Sequence, residues 1–426
     1  MRFRSLSSSI LVVLLLVAML PALASGQDLL IPMDEQQSDH LKAYGGVYST
    51  LADGQTVDWL LNYRGGSFLT RATPETVEEL RERGVRFEEV SDSESEKIVS
   101  EVEADGSNMA VVPLEKAPEI AVYAPDGSEP WDDAVRLALR YADVPHDVIY
   151  DESVLEGELE QYDWLHLHHE DFTGQFSKFL RYQNESWYIE QEERARAAAE
   201  KFGFQKVSEL KLAVSQRIRE YVEAGGFLFS MCSGTETFDI ALAAHQTDIV
   251  PEPYDGDAVD PNATEQLDFS QTLAFTNFEP NYNPREPTHS NIDTGRPPAD
   301  IRDPSLDYFT LFDFSAKWDP VPSMLTQNHV ATVKGFVGQT TAFEEDVLKE
   351  DVEVLAKPPE RSQARYIHGS LGQGTFTFYG GHDPEDYQHF LGDPPTDLSL
   401  HPNSPGYRLI LNNILFPAAK KKKRQT

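Results

Sequence analysis

The run Phe227-Leu228-Phe229-Ser230-Met231 leads directly into Cys232-Ser233-Gly234 and then into an apolar-faced stretch from Thr235 to Ala244. A short apolar run followed at once by a helical pattern is the signature of a buried strand turning sharply into a helix. That junction constrains the fold strongly, because a strand buried on both faces belongs to a parallel sheet covered by helices. Cys232 sits on the turn and is the only cysteine of the chain. A thiol there would lie near helix N-terminal amides, whose partial positive charge favours thiolate. This is a nucleophile elbow with sulfur in place of oxygen. The plainer alternative is that a free cysteine is simply a small buried hydrophobe.

The surrounding pattern agrees with a parallel sheet. From Pro118 onward, strands are predicted at 119–124, 146–150 and 162–169, with a helix at 131–141 and a long helical region over about 176–224. Residues 330–337 read as a strand, 364–379 as a hairpin turning at Leu371-Gly372-Gln373, and 407–415 as a closing helix. Alternation of this kind implies βαβ units and an α/β fold with a doubly wound, mostly parallel, flavodoxin-like sheet. Reactive groups then gather at the carboxyl ends of strands, which is where His168, His169, Cys232 and His382 fall. Residues 251–305, rich in Pro, Asn and Asp, are too long for an ordinary loop and read as an insertion forming a lid or wall.

A small α+β unit precedes this domain at residues 27–92. It carries a helix within 34–51, strands at 57–61 and 67–69, a Thr73-Pro74 helix start, and a strand at 85–90. Residues 93–117 read as an acidic linker or exposed helix. Arg64-Gly65-Gly66-Ser67 is either a hairpin turn or an anion-binding loop.

The chain begins like a secretory signal, residues 1–26: Arg2 and Arg4, an apolar core from Ile10 to Leu20, then small residues at 22–26. The expectation is a secreted or periplasmic protein with no integral membrane span once the signal is removed. A net charge of -35 excludes nucleic acid as a natural partner, because phosphate recognition needs a basic surface. The domain of residues 118–417 is followed by a basic tail, 418–426, that reads as a disordered end. Trp187, Tyr188, Tyr254, Tyr282 and Tyr308 would suit a small-molecule or glycan substrate, or serve as ordinary packing aromatics.

His382 follows a strand through Gly380-Gly381, where the backbone can turn tightly and project the next side chain. It could accept the thiol proton, with Glu385 or Asp383 orienting the imidazole. Ser233 and the segment His168-His169-Glu170 would supply oxyanion and substrate contacts. No cofactor is called for. A metal site is the alternative: strand alternation puts His166 and His168 on one face and His169 on the other, with His382 as a third ligand.

These residues resemble the class I glutamine amidotransferase-like superfamily, which carries a Gly-x-Cys-x-Gly elbow and a later His-x-Glu turn. Here the elbow is Ser230-Met231-Cys232-Ser233-Gly234 and the turn is His382-Asp383-Pro384-Glu385, so the first glycine is replaced and the turn has one extra residue. The Gly-Gly-His-Asp-Pro ending is similar to trehalose-utilisation (ThuA)-like members. The whole chain resembles exported proteins of Bacteroidetes and relatives that are often labelled asparagine synthetase B. That likeness is carried by residues 31–34, 40–45, 59–68 and 407–417. An asparagine synthetase activity is not expected, because the N-terminal cysteine and the Ser-Gly-Gly-x-Asp-Ser loop it requires are both missing from the sequence. The resemblance implies a cysteine hydrolase or amidase with Cys232 as nucleophile, His382 as base and Glu385 as orienting acid. The competing expectations are a ThuA-like, glycan-related binding protein and a metal-dependent hydrolase.

Overall fold

The computed structural model describes residues 27–125, 132–294 and 303–419. The expected signal segment, 1–26, lies outside them, as does the basic tail from 420. Among the described residues no helix is long and apolar enough to cross a membrane.

The N-terminal part builds a five-stranded antiparallel sheet. Its elements are β1 (Gln27–Ile31), α1 (His40–Ala52), β2 (Val57–Leu61), β3 (Ser67–Arg71), α2 (Pro74–Glu82), β4 (Glu88–Ser91), α3 (Asp92–Val102) and β5 (Ala110–Leu114), in strand order β4-β1-β3-β2-β5. Local chemistry sets the helix starts. Asp39 caps α1 by accepting from Lys42 N, Thr73 caps α2 with Pro74 behind it, and Ser91 with Glu94 forms a capping box on α3. Residues 93–117 are therefore not a free linker. They hold most of a capped, largely exposed helix and the strand that completes the small sheet.

The second part contains β6 (Ile120–Tyr123), α4 (Ala134–Tyr141), β7 (Asp147–Ile149), α5 (Asp151–Glu156), β8 (Trp164–Leu167), α6 (Ser186–Lys201), α7 (Val207–Ala224), β9 (Phe227–Met231) and α8 (Ser233–Ala243). The predicted long helix is thus two helices, broken where Gly203 takes φ +82. After α9 (Glu252–Asp255) come β10 (Tyr308–Leu311), α10 (Pro320–Leu325), β11 (Thr332–Lys334), β12 (Phe343–Glu344), β13 (Glu353–Lys357), β14 (Gln363–Ala364), β15 (Tyr366–Leu371), β16 (Gly374–Tyr379) and α11 (Pro405–Leu415).

The large sheet is α/β but mixed. Its nine strands run β11-β10-β13-β15-β16-β9-β8-β6-β7. From β16 to β7 neighbours are parallel, and from β16 to β11 they are antiparallel. The mostly parallel sheet expected from sequence is thus only half of the whole. The antiparallel half descends from the β15–β16 hairpin, which turns the chain back after a long excursion.

Strand side chains alternate between two cores. Ile120, Val122, Trp164, Phe229 and Met231 face a core shared with α1, α4 and α11. Ala121, Tyr123, Leu165, Leu167 and Leu228 face a second core with α5, α7 and α8. The first core is continuous with Leu29, Trp59, Phe68 and Val112 of the small sheet.

Candidate active site

Four parallel strands deliver the candidate residues to one edge. Asp133 follows β6, His168 and His169 follow β8, Cys232 follows β9, and His382 follows β16. Register aligns them: Leu167 pairs with Ser230, and Met231 with Tyr379, so the turns after the strands lie side by side.

Cys232 has φ +49 and ψ -140, a conformation that L residues rarely adopt. Tertiary bonds hold it there. Its N–H donates to Gly381 O at 3.1 Å, and Gly234 N–H donates to His168 O at 2.6 Å. Gly234 must be glycine, because a Cβ would sit 2.4 Å from that same His168 oxygen. The thiol is 2 % exposed, and its sulfur accepts the N–H of Gln339 at 3.2 Å. A hydrogen bond donated to sulfur favours thiolate over thiol. Ser233 opens α8, so its amide lies at the helix end beside the sulfur. The Gly234 and Thr235 amides are already taken, by His168 O and Cys232 O.

Gly381, at φ +103, lets the chain turn out of β16 against the ring of Phe336. His382 follows it, and its Nδ1 lies 3.1 Å from His168 Nε2. Burial, and then the charges of His168, His169 and His389, hold the His382 pKa well below that of ordinary histidine. Burial likewise depresses His169. His389 stacks on His382 with ring centroids 4.7 Å apart. Burial opposes its protonation, but Asp132 at 2.8 Å and Asp386 at 2.9 Å outweigh that and push its pKa up to about 9.

The predicted orienting acids are elsewhere. Glu385 pairs with His401 at 3.1 Å rather than with His382. Asp383 accepts the Glu385 and Asp386 amides and the Thr396 hydroxyl. The turn after His382 folds back on its own amides, so these carboxylates point away from the ring. The carboxylate behind the histidines is Asp133, whose Oδ1 is 3.4 Å from both His168 Nδ1 and His166 Nε2. Sequence reasoning missed it by starting that helix at 131. In fact Asp133 is the N-cap of α4, and an Asp ahead of an apolar helical run was the available signal.

The expected metal set also changes. His166 turns to Phe229 O and Asp133, away from His382. Strand pleating ends at Leu167, so His169 is not opposed to His168 but joins it: ring nitrogens of His168, His169 and His382 lie within 4.8 Å of one another. The His168 and His382 nitrogens, however, are aimed at each other in a hydrogen bond. A shared metal would require that bond to open. The Glu170 carboxylate, expected in the oxyanion region, accepts from Tyr150 OH at 3.0 Å.

Cys232, His382 and His169 line a cavity of about 260 Å³ whose walls include Phe179, Gln339 and Phe390. The Gln339 wall is pinned by its side chain, which donates to Ser177 O at 2.7 Å and to Pro287 O at 3.3 Å. Phe176, Ser177 and Lys178 form a left-handed turn, φ 48, 54 and 54, tied to Asp171 through the Ser177 amide. Strain of this kind persists only where the surroundings over-determine it, and it clusters at functional sites. None of the described residues lining the cavity belongs to the 251–305 insertion, whose described part meets this wall through Pro287 O, the acceptor from Gln339. Nothing in the sequence pattern marked Gln339.

The other sequence candidates resolve structurally. Arg64 is consumed by ion pairs with Asp34 and Glu88. Tyr188 and Tyr254 are buried in a small cluster against which Trp187 packs.

No protein-family model and no curated protein matches the chain. Among solved structures it is similar to cytoplasmic protein STM3548 from Salmonella typhimurium, with a TM-score of 0.33 and 14% identity over 71% of this chain and 100% of that one. Cytoplasmic protein STM1381 from Salmonella typhimurium LT2 gives 0.33 and 13% over 71% and 100%. Gan42B, a GH42 β-galactosidase from G. stearothermophilus, gives 0.27 and 12% over 63% of this chain and 28% of that one. Likeness at this level carries no functional argument.

Proposed function

We propose that the protein is a cysteine hydrolase, acting on an amide or related acyl compound, built on a glutamine amidotransferase-like scaffold and exported from the cytoplasm. The parallel strands, taken in chain order, lie 2-1-3-4-5, which is the flavodoxin-like order. The observation that carries the proposal is Cys232, held at φ +49 on the strand–helix elbow in a cavity that His382 also lines. A residue serving only as packing has no use for that backbone strain.

In the proposed reaction His382 takes the thiol proton, and the thiolate attacks the substrate carbonyl carbon. The Ser233 amide at the start of α8 stabilises the oxyanion. The intermediate collapses, the C–N bond breaks, and the proton on His382 goes to the leaving amine. Water, deprotonated by His382, then hydrolyses the thioester and restores the thiol.

The test is the pH dependence of Cys232 alkylation by iodoacetamide in the folded protein. Reaction well below the ordinary thiol pKa of about 8.5, slowed in His382→Ala, supports the proposal. A thiol inert until the protein unfolds would sink it and leave Cys232 as a core residue.

A further inference from the structure

We infer that His168 and Asp133 are positioning residues that fix the tautomer of His382, leaving the lone pair of the base on Nε2. The inference rests on the reading of Cys232 and His382 as nucleophile and base.

The argument is one of donors and acceptors. Asp133 Oδ1 accepts the Val135 and Arg136 amides at 2.8 and 3.0 Å as the N-cap of α4. Burial opposes its charge, but His166 and His168 outweigh that and hold its carboxyl well below the usual range. A carboxylate only accepts, so the nitrogen facing it carries the hydrogen. That nitrogen is His168 Nδ1, 3.4 Å away. The separation is long for a hydrogen bond, and the pull is that of a buried negative charge on an N–H dipole. With His168 taken as neutral and its single N–H on Nδ1, its Nε2 is an acceptor. Its partner at 3.1 Å, His382 Nδ1, must therefore donate. His382 then has no hydrogen left for Nε2, and among the described residues Nε2 has no hydrogen-bond partner.

The chain thus runs from the Asp133 carboxylate through His168 to His382. It replaces the carboxylate that would ordinarily touch the base directly, since Glu385 is committed to His401. The groups that face His382 are His168, His169, His389 and Asp132, with Cys232 in the same cavity and Asp133 one ring behind. His166, also 3.4 Å from Asp133 Oδ1, packs in a mutual cluster of rings with Trp164 and Phe229, and it and the carboxylate are buried.

Asp133→Asn is the informative variant. Asparagine caps a helix as well as aspartate, so a merely structural Asp133 predicts little change. The oxygen that caps α4 is also the one facing His168, so asparagine keeps the cap and removes the negative charge that holds the hydrogen on His168 Nδ1. The pair then also populates the tautomer with a hydrogen on His382 Nε2. The experiment combines long-range ¹H–¹⁵N spectra of histidine-labelled protein with the pH profile of iodoacetamide alkylation. His382→Ala assigns the resonance. The expected result is an unprotonated Nε2 in the native protein and a partly protonated Nε2 in Asp133→Asn. Alkylation at neutral pH slows about tenfold or more with it. A folded Asp133→Asn with native tautomer and native profile overturns the inference.

His168→Gln and His168→Leu give a second route. Glutamine can donate to Asp133 and accept from His382, so its profile stays near native while that of leucine is lost. Equal profiles for the two overturn the inference. Alkylation unaffected by His382→Ala overturns the Cys–His reading itself, whatever Asp133→Asn does.

Discussion

At Cys232 the backbone and the chemistry compete. Its φ of +49 costs of order 1–3 kcal/mol for a residue with a Cβ and nothing comparable for glycine. At most positions alanine is the more stable truncation. Here Cys232→Gly should be more stable than Cys232→Ala by about 1 kcal/mol, as read by urea unfolding. The usual order, alanine above glycine, would show that the elbow is not strained. The cysteine and the two glycines before His382 were legible in the sequence, because turn chemistry is local and residue-specific. The partner of His382 was not. A sequence places Glu385 three residues on, but only the fold shows that the intervening turn closes on Asp383 and sends Glu385 to His401. Asp133 and His382 are far apart in the chain, and only the register of β6, β8 and β16 brings them near one histidine.

Among the elements, the parallel strands were the legible ones. β9 matches the reading at both ends, since an unbroken apolar run bounded by glycine and a helix has few alternatives. β10 and β13 went unread. β13 begins on glutamate and ends on lysine with only a short apolar middle, and β10 is just four residues long. Such strands are specified by their neighbours, β15 for β13 and β13 for β10, rather than by their own pattern. They matter to the site through Asp307, directly before β10, and Arg365, directly before β15. This pair is 1 % exposed on each side, with both Asp307 oxygens 3.0 Å from Arg365 Nη2. Arg365 also donates to Phe336 O and Thr341 O, the ends of the segment that carries Gln339 over the thiol. Removing one partner strands a buried charge, so Asp307→Ala should cost about 3–5 kcal/mol in a denaturant titration. It should also raise the alkylation rate of Cys232 in the folded protein. A loss below about 1 kcal/mol, the level of an exposed pair, would refute the assigned role.

Over the whole molecule, the least expected feature is the seam between the two sheets. There Arg408 of α11 donates to Met33 O, Gly65 O and Tyr44 OH, beside the stacked rings of His40 and His329. Burial, reinforced by the Arg408 charge, lowers the His40 pKa to about 4. Burial, reinforced by His40 and Arg408, lowers that of His329 to about 3. In the unfolded chain both rings titrate near 6.5. The unfolded state therefore binds more protons below that pH. The contribution to stability is complete above about 6.5 and is lost as pH falls toward 4 and then 3. Unfolding free energies measured between pH 7 and 4 should decline accordingly, and His329→Phe should flatten the slope. An unchanged slope would place the acid sensitivity elsewhere.

The same seam bears on how the chain can be divided. Leu29, Trp59 and Phe68 of the small sheet lie in one core with Phe229 and Met231, the strand that ends at the thiol. A cut within 93–117 would not release two modules. It would strip an apolar face from each and leave β9, the strand that ends at Cys232, without half of its support. The two sheets are in this sense one foundation: a fusion that borrows only the second part borrows an exposed core along with the elbow that rests on it.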